Sequence, residues 1–257
     1  MLRLVYLVWA PFGVEPVQRF VESYRRHPAG TDHVVTVALK GFAATDDVAP
    51  WERALSAIAD ETCRTPSDVV DLGTYRRLVD QFPAERYCFV NTESVVLADD
   101  WLGHLERHLT ADRVGMVATT GSYESPNSVR PGPLRRLRPG YDSFPNPHLR
   151  SNGFMLEREL LVSLEWPQPS TKLDAVQLEC GRRGISRQVR DRGLATLVVG
   201  RDGQAYPPER FRESATFRWG AQANLLVADK RTRHYQDARP LTRQLLTWLA
   251  WHRLEHR

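Results

Sequence analysis

Four stretches of this chain carry apolar residues almost without a break: LRLVYLVW at 2–9, DHVVTVAL at 32–39, YCFV at 87–90 and VGMVA at 114–118. A strand with apolar side chains on consecutive positions is buried on both faces, as parallel strands are when helices cover the sheet above and below. Between these runs the pattern turns helical. Residues 16–26 put Val17, Phe20, Val21 and Tyr24 on one face, and helices are also predicted over 51–60, 74–81 and 99–109. A short strand is predicted to begin at Val69-Val70. Residues 1–120 therefore alternate strand and helix, which predicts an α/β fold with a mainly parallel sheet flanked by helices.

Length sets the domain count. A chain of 257 residues without an internal repeat or an evident linker reads as one domain. The three cysteines, Cys63, Cys88 and Cys180, form no C-x-x-C pair and their number is odd, so a reduced, cytoplasmic setting is expected and a zinc site is not. The apolar N-terminal run is too short to span a bilayer and has no small-residue cleavage site, so it reads as the first strand. The net charge of +4, with arginine concentrated in RPGPLRRLR at 130–138 and in the C-terminal third, suits a phosphate-bearing ligand, nucleic acid or an anionic membrane surface. Nucleic acid is not expected, because the basic run lacks interleaved aromatics and no nucleic-acid motif accompanies it.

The alternation stops at 121–148, GSYESPNSVRPGPLRRLRPGYDSFPNPH. A loop this long inside a compact domain is functional or disordered, and a mobile active-site lid is the functional expectation. Strands are predicted again at 152–156 and 195–199, with helical segments at 173–183 and 186–192 and within 217–228, and a terminal helix at 241–255.

The apolar run RYCFV ends in the polar cluster Asn91-Thr92-Glu93. Ligands of open α/β sheets sit at the carboxyl ends of such strands. In extended chain, Asn91 and Glu93 would project to the same side, where they could hold a diphosphate or a metal. The alternative is a simple strand end opening a turn.

From residue 4 to 235 the order of segments resembles the GT-A type of glycosyltransferase, and most closely the small bacterial family-2-like enzymes of polysaccharide gene clusters. The likeness is carried by LVWAPFG, DLGTY at 71–75, FVNTES followed by DDWL, VGMVATTGS, FPNPHLRSNGFML, ECGRRGISRQ, VVGRDG and SATFRWGAQANLLVADKRTRHY. The resemblance implies a GT-A-like, Rossmann-like mixed sheet. It also implies transfer of a hexosyl or deoxyhexosyl unit from a nucleotide-sugar donor to a saccharide or lipid-linked saccharide, with inversion. It divides the domain into a nucleotide-sugar half (1–120), the loop (121–148), an acceptor half (149–235) and a C-terminal helix (236–257).

Roles for single residues follow from that resemblance. Pro11 and Phe12 stand in the loop against which the nucleotide base packs, and Asp71 and Tyr75 in the segment that approaches the donor. Asn91, Thr92 and Glu93 occupy the place of an Asp-x-Asp motif, which holds the diphosphate through a divalent metal. Asn91 replaces the first Asp, so Mn²⁺ or Mg²⁺ would rest on Glu93, with His234 as a further ligand; alternatively arginines neutralise the diphosphate without a metal. The catalytic base falls in the region 172–179. Asp174 and Glu179 lie five residues apart, about 500° around a helix, so only one can face the site. Glu179 stands in the more distinctive run, whereas Asp174 resembles a first-turn residue stabilised by the helix dipole. His148, Arg150, Asn152 and Arg182 are candidates for acceptor or phosphate contacts.

A second function, a degenerate module that binds a nucleotide or glycan without turnover, is kept open by Asn91. The terminal helix carries Leu241, Leu245, Trp248, Leu249 and His252 as one stripe near Arg239, Arg243, Arg253 and Arg257. That pattern fits a helix docked on the core or one in peripheral contact with a membrane interface.

Overall fold

The computed structural model describes residues 1–127 and 139–252. The main sheet is built from β1 (Leu2–Trp9), β2 (His33–Lys40), β3 (Glu61–Thr65), β4 (Arg86–Val90), β6 (Val114–Ala118), β9 (Phe154–Glu157), β10 (Ala195–Val199) and β11 (Ala205–Tyr206). Two ribbons stand beside it, formed by β5 (Val95–Val96) with β12 (Val227–Ala228) and by β7 (Gly121–Ser122) with β8 (His148–Leu149). The helices are α1 (Glu15–Arg26), α2 (Ala49–Leu55), α3 (Asp71–Gln81), α4 (Trp101–Leu109), α5 (Arg158–Ser163), α6 (Lys172–Cys180), α7 (Ile185–Asp191), α8 (Lys230–Asp237) and α9 (Pro240–Trp251).

The strand order is β11-β10-β6-β9-β4-β1-β2-β3. Pairings among β4, β1, β2 and β3 are parallel, as is that of β6 with β10, whereas β9 runs antiparallel between β4 and β6. The molecule is thus α/β, with a large, mainly parallel mixed sheet flanked by helices, consistent with a Rossmann-like fold.

The apolar runs are buried on both faces for the expected reason. Leu4, Tyr6 and Val8 join one cluster with Val17 and Phe20 of α1, while Val5 and Leu7 join the other with Leu72, Tyr75 and Leu78 of α3. The Phe20 ring stacks on Tyr6 at 3.9 Å between centroids. Each such side chain contributes about 1.5–3 kcal/mol on full burial, so the central strands anchor the fold.

The reversed strand positions the site. Residues after a parallel strand lie at the carboxyl edge of the sheet; so do residues before an antiparallel neighbour. Phe89 of β4 pairs with Phe154 of β9, which sets 150–153 beside 91–94 at one edge. Gly153 makes this turn with φ +63, where a Cβ would lie 2.5 Å from Thr119 Oγ1. Its N–H donates to the Phe89 carbonyl (2.9 Å) and its carbonyl accepts from Thr119 N–H (2.8 Å). A side chain here would force β9 away from β6.

Several expectations are corrected. The third strand is β3 at 61–65 rather than 69–70, and α3 begins already at Asp71. Val69 is instead buried beside Gly73 of that helix. Residues 217–228 hold turns and β12 rather than a helix; the helix of that region is α8. The flanks of the long loop are anchored. Asn127 Nδ2 donates to the Tyr141 carbonyl (2.9 Å), Asn146 Nδ2 donates to the Cys180 carbonyl (2.7 Å), and β7 pairs with β8. The arginine-rich run 130–138, the centre of the expected lid, lies outside the described residues.

Candidate functional site

At the end of β4 the chain turns on itself through Asn91, whose Oδ1 accepts from Glu93 N–H at 3.1 Å, an Asx-type turn. Asn91 N–H donates to Asn152 Oδ1 (2.9 Å), which also accepts from Ser94 Oγ (3.0 Å). Thr92 is buried and splices two strand ends. Its Oγ1 donates to the Leu7 carbonyl and accepts from Trp9 N–H, both at 2.8 Å, and its carbonyl accepts from Tyr6 Oη (3.1 Å). Thr92 therefore holds the edge together, while Asn91 and Glu93 on either side of it are partly buried.

Glu93 meets two guanidinium groups. Arg233 of α8 pairs with its Oε2 and donates from Nη1 to its carbonyl (2.6 Å), and Arg19 of α1 approaches Oε2 to 3.9 Å. Ser94 and the Asx turn engage Asn91 Oδ1. A Mg²⁺ or Mn²⁺ ion requires several anionic or neutral oxygens. Here the one carboxylate of the strand end is committed to two cations, and His234 lies exposed in α8. Among the described residues no group of three His, Cys, Asp or Glu side chains is placed to hold a metal. Glu93 Oε2 thus already lies within ion-pair distance of two guanidinium groups.

Glu179, at the end of α6, sits on the adjacent segment. Its Oε2 accepts from Ser151 N–H (2.8 Å) and from Ser151 Oγ, while its Oε1 lies 3.9 Å from Arg150 Nη1. Only 15 % of the side chain is exposed. Burial pushes this carboxyl up, but Arg150, His148 and the Ser151 hydrogen bond outweigh it and bring the pKa to about 2, with Arg231 adding its field. Arg150 is buried between Glu179 and Glu124 (3.7 Å), with its guanidinium 4.5 Å from the Phe217 ring centroid. Arg218 lies against the same ring at 4.9 Å and pairs with Glu124. His148 is buried, and its Nδ1 is 2.9 Å from the Asn146 carbonyl. Burial lowers its pKa against the pull of Glu179.

Asp174 serves the other end of α6. It closes a capping box with Thr171: its N–H donates to Thr171 Oγ1 (3.2 Å) and its Oδ2 accepts from Thr171 N–H (2.9 Å). Of the two carboxylates, α6 brings Glu179 to the 148–153 segment, about 7.5 Å along the helix from Asp174. Asp71 opens α3 and pairs with buried Lys40 at 3.3 Å. Tyr75 is fully buried against Phe89, with centroids 4.7 Å apart, so it packs beneath the edge and offers no surface to a donor. Arg182 is exposed and bound to Asp142 (2.8 Å). Pro11 lines a cleft of about 440 Å³ with Ala10, Gly41, Phe42, Asp46, Asp47 and Trp51, and Phe12 lies exposed beside it with Lys230 Nζ 5.4 Å from its ring centroid.

Residues not singled out in the sequence complete the site: Arg19, Glu124, Ser151, Arg218, Arg231 and Arg233. Arg233 and Glu93 stand 140 positions apart, and no local pattern joins them. Ser151 stands next to Asn152, Glu124 lies in the expected lid, and Arg218, Arg231 and Arg233 lie within 214–235, so their segments stood out although the residues themselves did not.

Both depressed pKa values carry the same sign for stability. Glu179 titrates below its ordinary value near 4.3 and His148 below its ordinary value near 6.5. In each case the unfolded chain binds the proton first, so stability is full above pH ~6.5 and declines as pH falls, through His148 first and Glu179 down to about 2. Thermal melts between pH 8 and 3 should show this decline, and His148→Gln should remove its upper part. A melting temperature flat from pH 7 to 3 would contradict the buried cluster.

The chain matches no family model and no curated protein.

Proposed function

We propose that the protein is a glycosyltransferase that uses a nucleotide-sugar donor and a saccharide or lipid-linked saccharide acceptor, with inversion. One observation carries the reading. Consecutive residues, Ser151 and Asn152, hold the Glu179 carboxylate and the Asn91–Glu93 strand end at the same sheet edge. A carboxylate beside a basic, strand-end site is what direct sugar transfer requires.

In this mechanism Glu179 takes the proton of the acceptor hydroxyl as its oxygen bonds to the anomeric carbon. The bond from that carbon to the donor phosphate breaks on the opposite face, and the nucleoside diphosphate leaves with the electron pair. A low pKa is tolerable because the hydroxyl becomes acidic only as the new bond forms. The cleft beside Pro11 and Phe12 would take the base, and the cationic side chains around Glu93 would meet the growing phosphate charge.

A lipid-linked acceptor gives α9 a role. Its Thr247, Ala250 and Trp251 face the core, whereas Leu241 and Leu245 are 82 % and 56 % exposed and Trp248 is exposed beside them. Among the described residues no helix is long and apolar enough to cross a membrane, so contact would be peripheral.

A thermal-shift panel of UDP-, GDP- and dTDP-sugars tests the donor reading. One base class should raise the melting temperature in proportion to log concentration once saturating. No shift with any nucleotide sugar at millimolar concentration would count against it.

A further inference from the structure

We propose that the donor diphosphate is bound by a fixed set of side-chain cations, Arg19, Lys230, Arg231 and Arg233, in place of a divalent metal ion. The inference rests on the donor reading above.

Three of these residues come from one helix, and two of them, Lys230 and Arg233, meet different parts of the edge. Lys230 lies over Phe12, beside the cleft that follows β1. Arg233 grips Glu93 through both the carboxylate and the main-chain carbonyl. Arg231 is exposed, has no ion-pair partner among the described residues, and sends its field onto both Glu179 and Arg218. It follows Lys230 in the first turn of α8. Arg19 approaches from α1 on the other side, half exposed. Glu93 lies within ion-pair distance of two of these cations, Arg19 and Arg233, so its own charge is met before any ligand arrives.

That pairing changes the role of Glu93. A divalent ion at its Oε2 would sit against two guanidinium groups already within ion-pair distance, a like-charge arrangement that disfavours it. With its charge already met, Glu93 acts as a positioning residue: it fixes the planar Arg233 fork, and a fixed fork loses little side-chain freedom when it meets phosphate. This accounts for Asn91 at the first position of the motif. An Asp there would subtract from the positive field without gaining a metal to hold.

The test is calorimetric titration of the full chain with UDP, GDP and dTDP, in EDTA and again in MgCl₂ or MnCl₂. The expected result is that the diphosphate which binds does so with Kd values within about threefold in the two buffers, and more weakly as KCl rises. Arg231→Met and Arg19→Met should each weaken binding about tenfold, the scale of one charge-assisted hydrogen bond. Both positions are exposed enough that the melting temperature should not move. Glu93→Gln keeps an acceptor for Arg233 and should bind within a few-fold of wild type in both buffers, whereas loss of the anionic ligand of a bound metal would weaken binding in the MgCl₂ or MnCl₂ arm alone. Binding that weakens tenfold or more in EDTA overturns this inference and leaves the donor reading standing. Wild-type affinity in both arginine variants also overturns it. Failure of all three diphosphates to bind in either buffer overturns this inference and the donor reading together.

Discussion

Glu179→Gln is expected to lower the rate of sugar transfer by about 10²–10⁴-fold, the usual contribution of a positioned general base, while leaving donor affinity in place. The amide is nearly isosteric, and its oxygen can still accept from Ser151 N–H, as Glu179 Oε2 does at 2.8 Å. Arg150 keeps Glu124 at 3.7 Å as a partner, so the buried guanidinium is not stranded. What disappears is the ability of Oε1 to receive a proton; among the described residues that atom accepts no hydrogen bond, and Arg150 Nη1 lies 3.9 Å from it. Rates at saturating donor and acceptor, with donor affinity measured separately, isolate the step. A variant within fivefold of wild type would remove Glu179 as base. Asp174→Asn would then be the next variant, although its carboxylate is engaged in the cap of α6.

The second large effect concerns stability. Trp251→Ala is expected to cost about 3–5 kcal/mol, which for a domain of this size lowers the melting temperature by roughly 10 °C. Trp251 is buried, its Nε1–H donates to the Phe217 carbonyl (3.0 Å), and its ring meets Tyr123 at 5.0 Å between centroids. Phe217 in turn lies between Arg150 and Arg218, so the docked helix backs the floor of the site. The opposite face behaves differently. Replacing Leu241, Leu245 and Trp248 together by Ser should leave the melting temperature almost unchanged and abolish flotation with phosphatidylglycerol vesicles at low salt. A Trp251→Ala cost below about 1 kcal/mol would contradict the docking, and a wild-type chain that stays with the soluble fraction would remove the membrane contact.

The sequence showed most where burial was symmetrical. β1, β2, β4 and β6 were legible because both faces are covered and their apolar runs are continuous. β3 was not, since an edge strand reading Glu-Thr-Cys-Arg-Thr alternates between half-buried and exposed positions and carries little apolar signal. α8 was missed for a related reason. Its surface is dominated by charge, and Thr232 and Tyr235 are its buried members; the one local cue was the capping pair Asp229 and Thr232. The terminal stripe was legible as an amphipathic pattern, yet the face that docks is the neighbouring one through Thr247, Ala250 and Trp251. At the site, Asn91–Glu93 stood out because a polar cluster ends an apolar strand, and the local run drew attention to Glu179. The cations that answer Glu93 come from α1 and α8, and the partners of Arg150 come from the loop after β7, from α6 and from the segment before β12. Such pairings depend on topology, chiefly on the reversal of β9, and short-range sequence patterns do not encode them.

Donor turnover by the wild-type chain tests the central claim most directly. Release of nucleoside diphosphate is followed over a panel of UDP-, GDP- and dTDP-sugars, with water alone and then with simple saccharide acceptors. The expected result is slow release from one donor class in water, accelerated by an acceptor and lost in Glu179→Gln. A chain that binds a nucleotide sugar tightly yet releases no diphosphate above the uncatalysed rate, with or without acceptor, would contradict the account and leave a binding module in its place.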